Sequence, residues 1–408
     1  MEENKKNIFS MARSEKMLPQ EEMLEVRNEE KSISIGIPKE ITFQENRIAL
    51  VPNAVQQLVQ NGHKVIIEAE AGKAANFTDK DYSEAGGQIV HDIKEVYQSE
   101  IILKVASPTL QEIDMMTYNQ TIFSSLQLPV QKQEYFTKLQ SKRATAICFE
   151  FIKDRSNISS VRRSMSEIAG QTAIVIAAEY LANIKFSKGS MLGGFSGINP
   201  TEVVIIGAGT VGEYAARIAL AFGAQVKVFD NSIYKLRSLQ DKLGARIFTS
   251  IIQPKLLLKA LRTAHVAIGC VYSPEGKTPC IVSEEMVSQM KRGAIIIDVS
   301  IDQGGCFETS HVTSHADPIF IKYNVVHYCV PNIASRVPHT ASFAFSNIFV
   351  PMLLKSGQEG GIDNLLKTDP GVRQGVYIYK GVLTSNCISK QFDLPCQDID
   401  LLMAAYLR

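Results

Sequence analysis

From residue 33 onward the chain alternates short apolar runs with stretches whose apolar residues recur at helical spacing. Residues 33–37, 64–68, 101–105, 121–126 and 145–151 are largely apolar with little in–out alternation, the pattern of strands covered on both faces. Residues 53–61, 79–85, 109–116 and 133–139 fall between them with helical periodicity. Such βα alternation predicts a doubly wound, largely parallel sheet.

The pattern restarts after residue 200 with different punctuation. Val203-Val-Ile-Ile206 reads as a buried strand, and Gly207-Ala-Gly-Thr-Val-Gly212 carries it straight into a helix over 213–222. In that arrangement Gly207 allows the turn, Gly209 lets a pyrophosphate approach backbone N–H groups, and Gly212 lets helix and strand pack closely. The next apolar run ends on Asp230, where a carboxylate can accept hydrogen bonds from a ribose diol. A lone GxGxxG is a weak signal, but the strand before it, the helix after it and the acid at the end of the next strand make this one specific. An acid at 230 favours NAD over NADP, since a 2′-phosphate would meet like charge. Apolar runs at 266–271, 294–300 and 325–330 continue the sheet. The fold expected is α/β, with two doubly wound Rossmann-like domains and a cleft between them.

A helix over 164–182 leads towards the fingerprint, and Ser164-x-x-Glu167 at its start has the pattern of a capping box. The crossing into the second domain is placed near residue 164. Residues 331–346 read as a polar loop before a helix that returns the chain to the first domain.

Composition narrows the chemistry. A formal net charge of +1 on 408 residues gives no electrostatic case for nucleic acid or an anionic membrane as partner. The seven cysteines are scattered, with no CxxC or Cys/His spacing for a metal, and are expected to be reduced in a cytosolic protein. No apolar run has the length of a bilayer span. In open α/β sheets ligands gather at the carboxyl ends of strands, which singles out Arg47, Lys104, Gln127 and Asp302. Lys104, Gln127 and Asp302 each have a structural alternative: a lysine snorkelling to solvent, a hydrogen-bonded loop glutamine, a loop-capping aspartate. None of the seven histidines has a motif around it, and His339 alone lies where a cleft loop is expected.

Several motifs converge on one family. Ile37-Pro-Lys-Glu40 with Glu45-Asn-Arg47, Lys104-Val105, Met165-Ser-Glu-Ile-Ala-Gly170, the fingerprint with Asp230, Asp298-Val-Ser-Ile-Asp-Gln-Gly-Gly-Cys-Phe-Glu308, and Val330-Pro-Asn-Ile333 with Val337-Pro-His-Thr-Ala-Ser342 together resemble the alanine dehydrogenase family, which shares its fold with the NAD(H)-binding part of proton-translocating transhydrogenase. The resemblance runs from about residue 33 to about residue 390. It implies a discontinuous catalytic domain over 33–163 and 337–408 and an NAD-binding domain over 164–336, whereas the charge-rich residues 1–32 read as an extension that the family lacks. It implies hydride transfer from Cα of L-alanine to NAD, with pyruvate and ammonia as products, in a homo-oligomer, commonly a hexamer. Carried over residue by residue, Arg47 and Lys104 bind substrate, Asp302 is catalytic alongside Lys104, and Ser166 and Asn332 lie against the cofactor.

Two positions depart from the family. Its catalytic histidine falls at Gln127, which can hydrogen-bond a carbonyl but cannot exchange protons near neutral pH. Arg336 replaces a small residue and is expected to add a cation near the site. Two other readings stay open on sequence alone: a dinucleotide-binding module acting through a partner, and a dehydrogenase for another amino acid, similar to the saccharopine dehydrogenase group.

Overall fold

The computed structural model describes residues 30–273 and 276–405, so the expectation for the charged extension falls almost wholly outside the described residues. The first half of the chain supplies β1 (Ser34–Ile37), β2 (Lys64–Glu68), β3 (Gln88–Val90), β4 (Ile101–Leu103), β5 (Thr121–Ser124) and β6 (Thr145–Cys148). They form a parallel sheet in the order β3-β2-β1-β4-β5-β6. The second sheet takes β7 (Glu202–Ile206), β8 (Gln225–Phe229), β9 (Phe248–Ser250), β10 (Val266–Gly269), β11 (Ile295–Asp298), β12 (Ile319–Lys322) and β13 (Val325–Tyr328). Its parallel part runs β9-β8-β7-β10-β11-β13, the same doubly wound order.

Each sheet gains an antiparallel edge that the apolar runs did not reveal. β12 lies antiparallel on β13. In the first sheet β14 (Val376–Tyr379) and β15 (Val382–Leu383), from the far end of the chain, add antiparallel strands beyond β6.

Both sheets are buried on both faces, which is why their strands read as continuous apolar runs. Ile35, Ile37, Val65, Phe345 and Phe349 fill one face of the first sheet, and Ile102, Ile122, Phe136 and Tyr377 the other. In the second sheet Val203, Ile205 and Ile268 face one core and Val204, Ile206 and Ile296 the opposite one.

Four helices position the cleft: α1 (Pro52–Gln60), α2 (Ser160–Ala182), α3 (Thr210–Ala221) and α4 (Pro338–Gln358). α2 begins a full turn before the expected start. Ser164 is inside it, and Glu167 accepts from Arg163 Nε at 2.9 Å one turn back instead of closing a capping box. Val161 on α2 packs in the first core, whereas Ala169, Ala173 and Ile176 pack in the second. The stretch expected to be a polar loop over 331–346 is a short 3₁₀ turn, Ile333–Arg336, followed directly by α4. Proline at the first position of α4 costs nothing, because that N–H has no partner inside a helix.

Candidate functional site

The strand order reverses between β7 and β10, and the glycine turn sits on that crevice. Gly207 has φ +114°, and a Cβ there would come within 2.5 Å of the Cys270 carbonyl oxygen at the end of β10. A Cβ on Gly212 would approach the Gly207 carbonyl to 2.0 Å, so α3 can seat only with glycine. At Gly209, the residue capping α3, a Cβ would meet nothing within 4 Å. The turn is therefore closed below and open above, the shape of a phosphate cradle at a helix N-terminus. Asp230, half-buried after β8, accepts from Ala208 N at 2.8 Å through Oδ2 and from Ser232 N at 2.7 Å through Oδ1.

α2 lies against this cradle. A Cβ on Gly170 would come within 2.4 Å of the Val211 carbonyl oxygen, so the glycine of the Met165–Gly170 motif permits the close α2–α3 approach. Ser166, one turn earlier, is half-buried.

Opposite the cradle stands the loop after β1. Glu45 grips Arg47 with both oxygens, Nε to Oε1 at 2.7 Å and Nη2 to Oε2 at 2.6 Å. Among the described residues Nη1, the other edge, meets only the Met165 sulfur at 3.3 Å, and the guanidinium lies over the Phe345 ring at 5.2 Å from its centroid. Three hydroxyls hold the loop in place: Ser335 accepts from Asn46 N at 2.8 Å, Ser342 from Ile48 N at 2.9 Å and Ser346 from Val51 N at 2.9 Å. Ser342 and Ser346 are one turn apart on α4, a spacing that could have marked them in the sequence.

Asp302 emerges just past β11 on the 3₁₀ turn Val299–Gln303. The turn is built around Asp298, a buried acid that accepts from Ser300 N, Cys306 N and Ser310 Oγ at 3.1, 3.0 and 2.7 Å. Gly304 and Gly305, with φ +96° and +83°, wrap the chain round it. Asp302 is open to solvent but surrounded by protein on its other sides. This desolvation pushes its carboxyl up to about 6, against the opposing pull of the Asn332 N–H and of Arg47.

One asparagine joins the two sides. Asn332, in the left-handed region at φ 56°, donates its N–H to Asp302 Oδ1 at 2.7 Å and its Nδ2 to Glu45 Oε2 at 2.9 Å. Arg47, Glu45, Asn332 and Asp302 thus form one connected chain of charge-assisted hydrogen bonds.

The other sequence-picked residues stand differently. Lys104 is fully buried between Glu112 at 2.7 Å and Glu40 at 3.2 Å, and Glu40 also accepts from Val105 N at 2.5 Å. Two buried carboxylates facing one ammonium outweigh its desolvation and raise its pKa. Gln127 is exposed at the end of β5 in the left-handed region, φ 47°. Arg336 does not add a cation to the site: it turns away to pair with Glu179 on α2 at 2.8 Å and lies over the Tyr328 ring. His339 lies in the first turn of α4, not in a loop, its Nδ1 donating to the Ala75 carbonyl oxygen at 2.9 Å and its ring stacked on Phe77. A cavity of about 190 Å³ adjoins Arg47, lined by Glu40, Glu45, Asn46, Glu70 and Lys73 among others. Among the described residues, no helix is long and apolar enough to cross a membrane.

Comparison with known proteins finds matches over nearly the whole chain. Residues 36–169 match the family model of the alanine dehydrogenase/PNT N-terminal domain, and residues 173–386 that of the C-terminal domain. The chain is 36% identical to alanine dehydrogenase of Mycolicibacterium smegmatis over 371 residues, covering 91% of this chain and all of the relative. It is 38% identical to alanine dehydrogenase of Bacillus subtilis over 87% of this chain and 94% of that one. A solved structure of L-alanine dehydrogenase superposes with a TM-score of 0.82 at 36% identity, covering 88% of this chain and 99% of the other.

Proposed function

This chain belongs to the alanine dehydrogenase/PNT family, and we propose that it catalyses NAD-dependent oxidative deamination of L-alanine to pyruvate and ammonia, together with the reverse reductive amination. The observation that carries this reading is the bonded chain Arg47–Glu45–Asn332–Asp302, which sets a carboxylate-binding cation and a proton-exchanging acid in one cleft.

The glycine cradle fits a nicotinamide dinucleotide: the space above Gly209 is open, and the α3 N-terminus points into it. We assign NAD as that dinucleotide, because Asp230 presents a carboxylate at the end of β8, where a ribose diol can donate and a 2′-phosphate would be repelled. When bound, the oxidised nicotinamide supplies the acceptor for the hydride leaving Cα. Ser166 and Asn332 are assigned to the cofactor side of the cleft.

Arg47 takes the substrate carboxylate. Glu45 holds one edge of its guanidinium, and the edge that meets only a thioether is left for a second, stronger acceptor. Asp302 removes protons from the amine and from the attacking water, a task suited to a carboxyl that titrates close to neutrality. Gln127 hydrogen-bonds the carbonyl oxygen without exchanging protons. Lys104 is assigned to polarise the same carbonyl. Because it is sealed behind Glu40 and Glu112, that contact requires the segment after β4 to yield on substrate binding. The domain boundaries we adopt are 33–163 with 337–408, and 164–336; α2 runs across the first of them and α4 begins just past the second.

The test is NADH absorbance with purified protein, ammonium and pyruvate, then with other 2-oxo acids. Oxidation of NADH that requires both ammonium and pyruvate is expected; turnover with none of the acids would refute the assignment.

A further inference from the structure

If position 127 cannot exchange protons, the deamination proposed above leaves Asp302 to serve both the water that enters and the ammonia that leaves. The neighbouring strand end offers a second acid. β5 and β6 pair in register at Ser124 and Cys148. There β6 ends in a turn, Phe151 N donating to the Cys148 carbonyl at 3.1 Å, and Glu150 lies in that turn, within reach of the Leu126 backbone that leads into Gln127. Glu150 lies half-buried, and its side chain accepts from the Cys148 thiol, at 3.7 Å, a weak donor, with a further pull from the Leu126 backbone. Among the described residues no basic side chain lies within salt-bridge distance of it, so it is neither a surface acid nor half of a structural ion pair.

The charges that reach it are those of the cleft. Arg47 from the loop after β1 and Arg162 from the first turn of α2 act on Glu150, and Glu150 in turn acts on Asp302. Arg162 is itself held by Tyr272 from the loop after β10, its Nη1 donating to the hydroxyl at 3.3 Å. Burial raises the Glu150 carboxyl above its ordinary value in spite of both arginines.

We propose that Glu150 is a proton carrier of the reaction, delivering a proton to the departing nitrogen and recovering it from the oxygen, the exchange that Gln127 beside it cannot perform. The inference rests on the deamination proposed above. Once hydride has left Cα, water oxygen bonds to the iminium carbon and its proton passes to the Asp302 carboxylate. Protonated Glu150 gives its proton to the amino nitrogen of the adduct. The C–N bond then breaks, its electron pair leaving on nitrogen as ammonia. The hydroxyl oxygen forms the carbonyl, and its proton returns to Glu150. Atoms and charge balance without any further reagent.

The experiment compares wild type, Glu150→Gln, Glu150→Asp and the double variant Glu150→Gln with Gln127→His. The readouts are steady-state kinetics as a function of pH and NADH affinity by fluorescence. Glu150→Gln is expected to lose kcat by on the order of a hundredfold to ten-thousandfold. NADH affinity and KM for pyruvate stay near wild type, one limb of the pH profile flattens, and adding Gln127→His restores part of the rate. Glu150→Asp, with its carboxyl drawn back, falls between. Wild-type kcat and pH profile in Glu150→Gln would overturn the inference and leave the proposed function standing. Loss of rate together with NADH binding, unrelieved by the second substitution, would assign Glu150 a structural place and also overturn it. An inactive wild-type protein would remove both readings.

Discussion

A carboxylate that accepts an N–H and lies near an arginine ordinarily titrates low, yet at Asp302 the partial desolvation by the protein packed round it prevails. The sign of the consequence for stability follows from linkage. The folded protein holds the proton at Asp302 up to about 6, whereas the unfolded chain releases it near the ordinary 3.8. This group's contribution is therefore fully present below the unfolded value and is lost as pH rises through about 6. Asp302→Asn removes that opposition, so the variant should melt above wild type in neutral and mildly alkaline buffer, with the gap closing in acid. Its turnover should fall by on the order of a hundredfold or more while NADH still binds. Calorimetry across pH beside the absorbance assay checks both; a melting temperature unchanged at every pH would mean that the acid is not opposed by its surroundings. The sequence could single out Asp302 by its place after a strand, but not separate it from Asp298, four residues earlier. Only the fold shows that Asp298 spends its lone pairs on Ser300, Cys306 and Ser310.

At the scale of elements, what was legible was what repeats or what glycine requires. The inner parallel strands and the cofactor cradle followed from apolar runs and from three glycines in register with a helix, whereas the outer parallel strands β3 and β9 did not. Nor did the antiparallel edges, since β12, half-buried and exposed, and the two-residue β15 gain their identity from the neighbour they pair with, and β14 lies far along the chain from the sheet it joins. The start of α2 was hidden by Arg162 and Arg163, which interrupt apolar spacing, and that of α4 by Pro338 and a polar first turn. The α2–α3 crossing depends on Gly170. Replacing it with alanine puts a methyl group 2.4 Å from the Val211 oxygen, a backbone atom that cannot rotate away. Gly170→Ala should cost about 1–3 kcal/mol in denaturant unfolding and weaken NADH binding by displacing the α3 N-terminus. Wild-type NADH affinity in a destabilised variant would show that the cradle holds its shape without α2.

For the whole molecule, Glu45 is the side chain on which the substrate arginine and the opposite wall of the cleft meet. It neutralises Arg47, whose side chain is only 10% exposed, and receives Asn332 from the far side. Its partner's burial makes it costly to remove: Glu45→Ala should destabilise the fold by about 3–5 kcal/mol and raise KM for pyruvate, since Arg47 loses the clamp that aims it. An unfolding midpoint equal to that of wild type would place the control of the cleft elsewhere. This bond network was out of reach of sequence reading because Glu45 and Asn332 lie 287 residues apart. The same holds for Lys104, whose position was evident but whose enclosure by Glu40 and Glu112 was not.

The edge strand β14 also governs how the molecule can be made. The cofactor sheet takes all its strands from residues 202–328 and can close as soon as that stretch is available. The sheet bearing Arg47 and Glu150 has β6 unpaired along one edge until residues 376–379 arrive. A chain emerging from the ribosome therefore inverts the usual N-to-C order of domain completion: its second sheet matures while the first waits, an exposed strand edge open to wrong partners through most of synthesis. Truncation ahead of residue 376 should for that reason yield an aggregating first domain beside an intact, dinucleotide-competent second one.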